Sequence, residues 1–448
     1  MWSSRWLFIL AAAGSAVGLG NIWKFPYVVG ESGGGAFVVV YLFCIALVGI
    51  PIMMAEVLIG RQGRQSPINT MRALVKEVDG SSGWTLIGWA GVFAGFLILS
   101  YYAVIAGWSM YYIVLMAQGL FDGSSPALAR SVFSEFQQSP WLMLGWHTAF
   151  MVITVAIVAR GVTGGIEKAV RWFMPFLVVL LIVLVIHGFI SPGFDEAVAF
   201  LFAFDFQKIT VETLLTALGL SFFTLSLGMG AIMAYGAYVP GSASITSMVV
   251  TIAALDTIVA IAAGLAIFPV VFAYGTELTV EAGPSLMFET VPLVFGNIPF
   301  GSIFGTLFFV LVSFAAITSA ISLTEPGLAF LVEEYNAKRS RVAISLGVFC
   351  WVLGIGTVLS FNVWSDIHLV GNLNFFAFLD YVTQNIMLPL GGLFIALFAG
   401  FVLPKTIVGS QLGLDEGYKS VLWMILIKFC APVGVSIVFF VTIFNSIS

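Results

Sequence analysis

Charged residues are scarce in this chain of 448 residues: they make up 9% of the sequence, against 60% hydrophobic residues. Soluble domains usually contain about 25% charged residues, and the mean hydropathy here is +1.09. A water-soluble fold of this length has no interior large enough for so much apolar surface. The scarcity of charge therefore excludes a soluble protein and indicates that lipid is the solvent.

Cysteine and histidine are also rare, with three residues of each type. Cys44, Cys350 and Cys430 fall singly in separate apolar stretches, which excludes a cysteine-based metal site, and we expect them to be packing residues. The histidines are scattered, without the spacing of a metal site or of a nucleophile beside its base. We therefore expect no enzyme activity, and no nucleic-acid partner.

Long apolar stretches are abundant instead, each with at least the roughly 20 residues that a membrane-spanning helix needs. The alternating pattern of β-barrel strands is absent from them. The sequence therefore predicts an all-α polytopic membrane protein with eleven transmembrane helices. The stretches are 6–29, 36–60, 84–118, 140–160, 169–190, 210–239, 245–274, 300–332, 342–361, 369–403 and 420–445.

Lysine and arginine are concentrated in alternate connections between these stretches, whereas the other connections are acidic. By the positive-inside rule, the N-terminus is cytoplasmic and the C-terminus, after eleven spans, is extracellular. The first 16 residues also resemble a signal peptide, an alternative whose cleavage would remove the first span. The basic connections contain Arg61, Arg64, Arg72, Lys76, Arg160, Lys168, Arg171, Lys338, Arg339, Arg341, Lys405 and Lys419.

Glycines interrupt two of the stretches: residues 14–21 read GSAVGLGN, and residues 222–230 read FFTLSLGMG. Unwound backbone at membrane depth is tolerated only inside protein or along a cavity. Two such breaks at corresponding positions are typical of transporters built from inverted repeats. The sequence therefore predicts repeats at 1–190 (spans 1–5) and 191–404 (spans 6–10), an additional span 11 at 405–448, and a small solute bound between the breaks.

Polar side chains accompany the breaks. Asn21 and Thr224 offer oxygen ligands, and Asp256 stands in the otherwise apolar seventh stretch. An intramembrane carboxylate is costly and marks an ion or proton pathway by default. The alternative is that Asp256 caps the end of a neighbouring helix.

Three motifs, GLGNIWKFPY (18–27), FFTLSLGMGA (222–231) and FAAITSAISL (314–323), resemble the neurotransmitter:sodium symporter family, and within it bacterial amino-acid transporters with the LeuT-type fold. The resemblance covers spans 1–10. It implies a sodium-coupled symporter of the bacterial inner (plasma) membrane that imports amino acids by alternating access, with two sodium ions. The oligomeric state stays open.

The resemblance also implies which residues bind each solute. The first sodium ion would be held, together with the carboxylate of the substrate, by Ala16, Asn21, Thr224 and Asp256. The second would be held by Gly14, Val17, Ala315, Thr318 and Ser319. The substrate would be bound by Ala16, Leu19, Gly20, Tyr102, Phe223, Thr224, Ser226, Met229, Ser319 and Leu323.

Two of these positions bear on the identity of the substrate. Relatives that carry amines have Asp at the position of Gly18, and glycine offers no counter-ion, so a zwitterion fits better. Met229 stands where relatives often have Phe, and a flexible thioether adapts to apolar groups of different shape. We therefore expect hydrophobic and aromatic L-amino acids as substrates.

Asp256 departs from the family pattern, since many relatives have Asn there. One turn later Ala260 replaces the Glu of chloride-independent relatives and the Ser of chloride-dependent ones, and Leu220 matches a nearby Gln. The fixed negative charge has moved one turn along the helix. We therefore expect transport that does not need chloride.

By resemblance, Lys24 and Asp380 form an outer gate, and Trp2, Tyr238 and Glu333 belong to an inner gate. Lysine replaces the usual arginine and cannot form a bidentate clamp, so we expect a loose, water-mediated outer pair.

Gly165 and Pro175 mark the start of span 5. In the family a turn unwinds there and opens the inner sodium site to water, and a simple kink is the alternative. Glu56 matches a family position near the breaks, whereas Glu325 and Lys428 receive no role.

Other functions stay open at this point. The protein could be a transporter of the same fold for another zwitterion or an osmolyte, a transporter coupled to protons, or a channel. A channel would need a pore-lining ring or a repeated filter, and neither is visible in the sequence.

Overall fold

The structure is a computed structural model that describes residues 5–274, 286–413 and 417–447. Within these ranges nine helices are long and apolar enough to cross a membrane, and two broken spans complete the eleven that the sequence predicts. Spans 1–5 are Arg5–Ala16 with Phe25–Glu31, Gly35–Gly63, Ser82–Ala117, Pro140–Ala159 and Gly164–Phe189. Spans 6–11 are Val211–Thr224 with Ala231–Gly236, Ile245–Tyr274, Gly301–Tyr335, Arg339–Leu359, Phe375–Val402 and Tyr418–Val441.

The all-α class and the eleven spans are thus confirmed, and most boundaries agree within a few residues. Span 10 differs most, because it begins at Phe375 rather than near residue 369. The side chain of Asn374 accepts a hydrogen bond from the Ala377 amide, N···O 2.9 Å, and so caps the helix there. The division into repeats at residues 190 and 404 stays a prediction.

Shorter helices occupy several connections. Pro67–Glu77 has proline in its first turn, a favourable position because no helical hydrogen bond is lost there. It buries Ile68, Met71, Leu74 and Val75, which share one face. The others are Pro126–Gln137, Phe194–Phe202, Val291–Gly296 and Lys405–Leu412.

Both predicted breaks are present. The helix of span 1 is interrupted at Val17 and Gly18 and resumes as a π-helical turn over Gly20–Lys24. Span 6 is unwound over residues 225–230, where Ser226 and Gly228 have φ of 55° and 76°. The chain therefore leaves helical geometry in both spans at the positions of the glycine-rich motifs.

Gly228 shows why the second break needs glycine. Its φ is positive, and a Cβ atom there would collide with the carbonyl of Leu388. The backbone N–H that the break frees donates to Glu56 of span 2, N···O 2.7 Å. Glu56 therefore supports the unwound segment, in keeping with its predicted position near the breaks.

The spans differ in how far the rest of the protein covers them. In spans 3 and 8, 83% and 78% of the 18-residue apolar window is buried, whereas the value is 33% in spans 4 and 5 and 18% in span 11. Spans 3 and 8 therefore lie at the centre beside the two breaks, and spans 4, 5 and 11 face lipid.

Gly60 of span 2 allows a close contact with the second half of span 6. A Cβ atom at Gly60 would collide with the carbonyl of Met233, whereas a Cβ atom at Gly409 would meet nothing within 4 Å. We expect Gly60→Ala to lower stability by about 1–3 kcal/mol, the usual cost of overpacking. Gly409→Ala is the matched control and should leave stability unchanged or slightly higher. Thermal unfolding in detergent measures both, and equal melting temperatures for the two variants would contradict the close contact.

Candidate functional site

A small cavity lies between the two breaks and spans 3 and 8. Of the ten residues predicted to bind the substrate, the structure places all on its wall except Thr224. Three lining residues were not among the ten: Ser15, Gly18 and Ile98. Ile98 lies one helical turn before Tyr102, so the spacing on span 3 could have indicated it.

One end of this cavity is polar, and the backbone of Leu19 and the hydroxyl of Tyr102 form part of it. The amide N–H of Leu19 donates to the hydroxyl of Tyr102, N···O 3.3 Å. A Cβ atom at Gly18 would collide with the Ser319 hydroxyl and lie 3.1 Å from the Tyr102 oxygen. Any side chain at Gly18 would therefore fill the polar end, and glycine keeps it open.

Three serines complete the polar end. The carbonyl of Ser15 accepts hydrogen bonds from the Ser226 hydroxyl at 2.9 Å and from the Ser319 hydroxyl at 3.2 Å. This carbonyl lies at the C-terminal end of the first helix of span 1, where backbone C=O groups have no N–H partner within the helix. The hydroxyls thus join spans 6 and 8 to the break in span 1.

The rest of the cavity is apolar. Ile98, Phe223, Met229 and Leu323 provide its wall, and none of the described residues that line it is charged. The cavity is therefore amphipathic and uncharged, with hydrogen-bonding groups at one end and a flexible thioether at the other.

Asn21, Thr224 and Asp256 lie together beside the cavity, all completely or almost completely buried. The amide nitrogen of Asn21 donates to the carboxylate of Asp256 at 2.7 Å. Tyr41 of span 2 joins them: its hydroxyl lies 2.9 Å from the Thr224 hydroxyl and 3.4 Å from the carboxylate. Tyr41 was not among the predicted residues, because a tyrosine in an apolar span does not indicate by itself which residue it contacts.

The surroundings of Asp256 bear on whether it caps a helix. Its carboxylate lies in the interior of span 7 and meets side chains of spans 1 and 2. Among the described residues no helix-end N–H donates to it. This arrangement differs from a helix cap and resembles a cluster of oxygen ligands.

The residues predicted for the second sodium ion are only partly assembled. A Cβ atom at Gly14 would lie 3.5 Å from Cβ of Thr318, and the Thr318 hydroxyl donates to the Ala315 carbonyl at 2.9 Å. Val17 is the first unwound residue of span 1. Ser319, predicted for both the ion and the substrate, lines the cavity, and its hydroxyl donates to the Ser15 carbonyl; its role as an ion ligand stays a prediction.

Span 5 covers this second region. The sulfur of Met174 would lie 3.1 Å from a Cβ atom at Gly14, a contact that the sequence analysis missed. Gly165 lies in the wide turn Val162–Ile166, and Pro175 lies within the helix Glu167–Phe189. The unwinding of this segment stays a prediction.

Above the cavity, Lys24 and Asp380 lie 3.8 Å apart (Nζ to Oδ2). The side-chain amide of Gln384 accepts from Lys24 and donates to Asp380, and so bridges the pair. The ammonium of Lys24 also lies 5.2 Å from the ring centre of Phe223. A glutamine therefore joins the two members of the predicted outer pair, and the water-mediated contact stays a prediction. Beyond this pair lies a vestibule of about 470 Å³.

At the opposite side, Glu333 of the predicted inner gate has partners at the start of a helix in a connection predicted to be cytoplasmic, and the gate itself stays a prediction. Its carboxylate accepts from the Ser66 amide at 2.9 and 3.0 Å and from Asn69 at 3.2 Å, at the start of helix Pro67–Glu77. Trp2 lies outside the described residues. Tyr238 follows the second half of span 6 in a turn.

Two residues left without a role also have partners. Glu325 of span 8 binds Arg339 at the start of span 9, with Nη1···Oε1 at 3.1 Å. The ammonium of Lys428 lies 4.9 Å from the ring centre of Phe401. Both contacts join neighbouring spans.

Gln384→Leu tests the bridged pair, since leucine has similar size and cannot bridge. With a cysteine at position 98 in the cavity and Cys430 replaced by serine, a membrane-impermeant thiol reagent should react about tenfold faster in this variant, because bonds to charged groups hold the pair closed. Asn385→Leu is the matched control: Asn385 lines the vestibule beside Gln384. Equal rates in the two variants would contradict a bridging role.

Comparisons with known proteins agree with this geometry. The model of the sodium:neurotransmitter symporter family matches residues 1–121 and 128–448. A sodium-dependent transporter of Bacillus subtilis (strain 168) is 39% identical over 444 residues, which are 98% of this chain and 96% of that protein. The sodium- and chloride-dependent GABA transporter 2 of Homo sapiens is 24% identical over 488 residues, 96% of this chain and 77% of that protein.

A solved structure is also similar. The crystal structure of MhsT in complex with L-phenylalanine has 42% sequence identity and a TM-score of 0.90, and the match covers 98% of both chains. The family resemblance and the LeuT-type fold that the three motifs predict are thereby confirmed.

Proposed function

Because the chain belongs to the sodium:neurotransmitter symporter family, and is thus a sodium-dependent membrane transporter and not an enzyme, we propose that it imports hydrophobic and aromatic L-amino acids with two sodium ions. The observation that carries this proposal is the uncharged, amphipathic cavity between the breaks. The similarity to MhsT, whose structure holds L-phenylalanine, supports it.

The cavity favours a zwitterion over an ion with net charge. A buried net charge without a partner is costly, and none of the described residues that line the cavity is charged. The N–H of Leu19 and the hydroxyl of Tyr102, which bond to each other across the cavity wall, are donors for a carboxylate. The carbonyl of Ser15 and the Ser226 hydroxyl, which lie at the same polar end, are acceptors for an ammonium group.

The apolar wall favours a large side chain. Ile98, Phe223, Met229 and Leu323 leave no polar partner for a hydroxyl or amide of the substrate, and an unpaired polar group there would lose its hydrogen bonds. A leucine or phenylalanine side chain has none to lose, and a tryptophan side chain would lose only that of its single indole N–H.

The first sodium ion would bind at the cluster of Asn21, Thr224 and Asp256. The side chains that the structure places against this carboxylate, Asn21 and Tyr41, are neutral, so a cation would compensate its charge. The carboxylate of the substrate would complete the shell, which makes ion and amino acid stabilise the same closed state.

The second ion would bind near Gly14, Ala315 and Thr318. The predicted ligands there are backbone carbonyls and hydroxyls without formal charge, which suits a monovalent cation better than Ca²⁺. Because Ser319 now donates to Ser15, its hydroxyl would have to turn to serve as a ligand.

We also propose that the protein resides in the inner (plasma) membrane of a bacterium, with its N-terminus in the cytoplasm and its C-terminus outside. The basic connections support this orientation. A channel is not favoured, because the Lys24–Gln384–Asp380 bridge and the cavity below it describe a closed gate and a single small site.

Binding of radiolabelled leucine, phenylalanine and tryptophan to the purified protein tests the coupling. We expect affinity to fall about a hundredfold when sodium is replaced by potassium or choline, the range of strong coupling between sites. Replacing chloride by gluconate should change nothing, because Asp256 supplies the negative charge.

Asp256→Asn should weaken the sodium dependence, and Glu212→Gln, which removes a carboxylate from the vestibule wall, is the matched control. Equal binding in sodium and choline would refute sodium coupling. A response to pH at fixed sodium, with none to sodium at fixed pH, would favour the proton-coupled alternative.

Met229 tests the substrate class separately. Phenylalanine at this position is bulkier and stiffer, so Met229→Phe should reduce affinity for tryptophan about tenfold, a typical effect of a changed apolar pocket. Leucine is the internal control and should bind nearly as before. Competition binding in saturating sodium measures both, and a parallel loss for the two amino acids would argue against Met229 as a determinant of selectivity.

A further inference from the structure

A second cavity lies far from the transport site, on the lipid-facing side between spans 4 and 9. This groove has a volume of about 450 Å³ and is lined by ten residues, of which only Thr148 and Trp351 carry N–H or O–H groups in their side chains. Gly347 forms its floor, because a Cβ atom there would collide with Val155 of the opposite span. The two spans are thus held close at the floor, and side chains such as those of Val152 and Val348 form the rims.

The two ends of the groove differ. At one end the ring nitrogen of Trp351 donates to the Thr148 hydroxyl, N···O 2.9 Å. This hydrogen bond closes that end of the groove. At the other end Ala159 and Ile344 are the last residues that line the groove. From Arg341 to Trp351 a helix rises about 15 Å. This rise matches the thickness of one leaflet, which is half of a hydrocarbon core of about 30 Å.

Basic residues surround the polar end. Arg339 donates from Nε to the carbonyl of Val158 at 2.9 Å, which brings the end of span 4 to the start of span 9. Arg160, Lys338 and Arg341 lie within two residues of this contact, and all three are exposed. Arg339 itself is engaged by Glu325, so it adds no free charge.

Arg341 is aligned with the groove by helical spacing. It precedes Ile344 by three residues and Val348 by seven, which places all three on one face of span 9. Arg160 directly follows Ala159, the last groove residue of span 4. The apolar groove, about as long as one leaflet is thick, therefore ends near two exposed arginines.

We propose that this groove binds an anionic phospholipid of the cytoplasmic leaflet, with one acyl chain along Val155 and Gly347 and the phosphate between Arg160 and Arg341. Lys338 adds a third positive charge nearby. Basic pockets between spans on the cytoplasmic side recognise such headgroups. The site depends on the predicted cytoplasmic position of these connections and not on the identity of the transported solute.

Native mass spectrometry of the purified full-length protein tests the site, with phosphatidylglycerol and phosphatidylethanolamine of identical acyl chains as probes. The wild type should bind phosphatidylglycerol more tightly than phosphatidylethanolamine. Each arginine near the headgroup is worth a factor of about five, so Arg160→Gln/Arg341→Gln should lose roughly 25-fold in affinity for phosphatidylglycerol. Lys76→Gln is the matched control, since Lys76 is an exposed basic residue on the helix Pro67–Glu77 of another connection.

A second variant tests the apolar half of the site. Ala156→Phe would fill the groove without changing a charge, so it should weaken the binding of both lipids. An unchanged melting temperature and intact sodium-dependent amino-acid binding show that each variant is folded. The proposal is overturned if the double variant keeps the preference for phosphatidylglycerol, if Lys76→Gln loses as much, or if Ala156→Phe binds lipid like the wild type.

Discussion

The unwound backbone of the two broken spans is the constraint on which the site depends. At membrane depth its N–H and C=O groups have no water, so the protein must supply their partners. Glu56 of span 2 accepts from the Gly228 amide, and hydroxyls of Ser226 and Ser319 donate to the Ser15 carbonyl. These partners come from spans 2, 6 and 8. The bonds that satisfy the breaks therefore also fix the walls of the cavity between them.

Features that interrupt a simple local pattern could be predicted from the sequence. Glycines within an apolar run indicated the breaks, and the intramembrane carboxylate of Asp256 indicated the polar cluster. Each departs from what a lipid-facing helix requires, so each is visible without knowledge of the fold. The start of span 10 was missed, because the apolar run continues before Asn374 and only the hydrogen bond of its side chain to Ala377 ends the loop.

Partners from distant parts of the chain could not be predicted in the same way. Gln384 bridges to Lys24 across 360 positions, and Tyr41 meets Thr224 across 183. Glutamine and tyrosine are common enough in spans that neither signals its partner. The contact between Met174 and Gly14 is even harder to predict, because a methionine in an apolar helix looks like any other packing residue. The sequence thus indicated which residues need partners, and the packing of the spans selects the partners.

Asn21 links the ion cluster to the substrate cavity. Its amide nitrogen donates to Asp256, while its oxygen accepts from the Gly18 amide at 3.2 Å, in the unwound part of span 1 that lines the cavity. A sodium ion at Asp256 would attract that oxygen and compete with Gly18 for it. The Gly18 amide and its neighbours would then be free to meet the carboxylate of an amino acid. This route through Asn21 would add to the direct contact between the proposed ion and the carboxylate of the substrate, because each would favour the arrangement that the other needs.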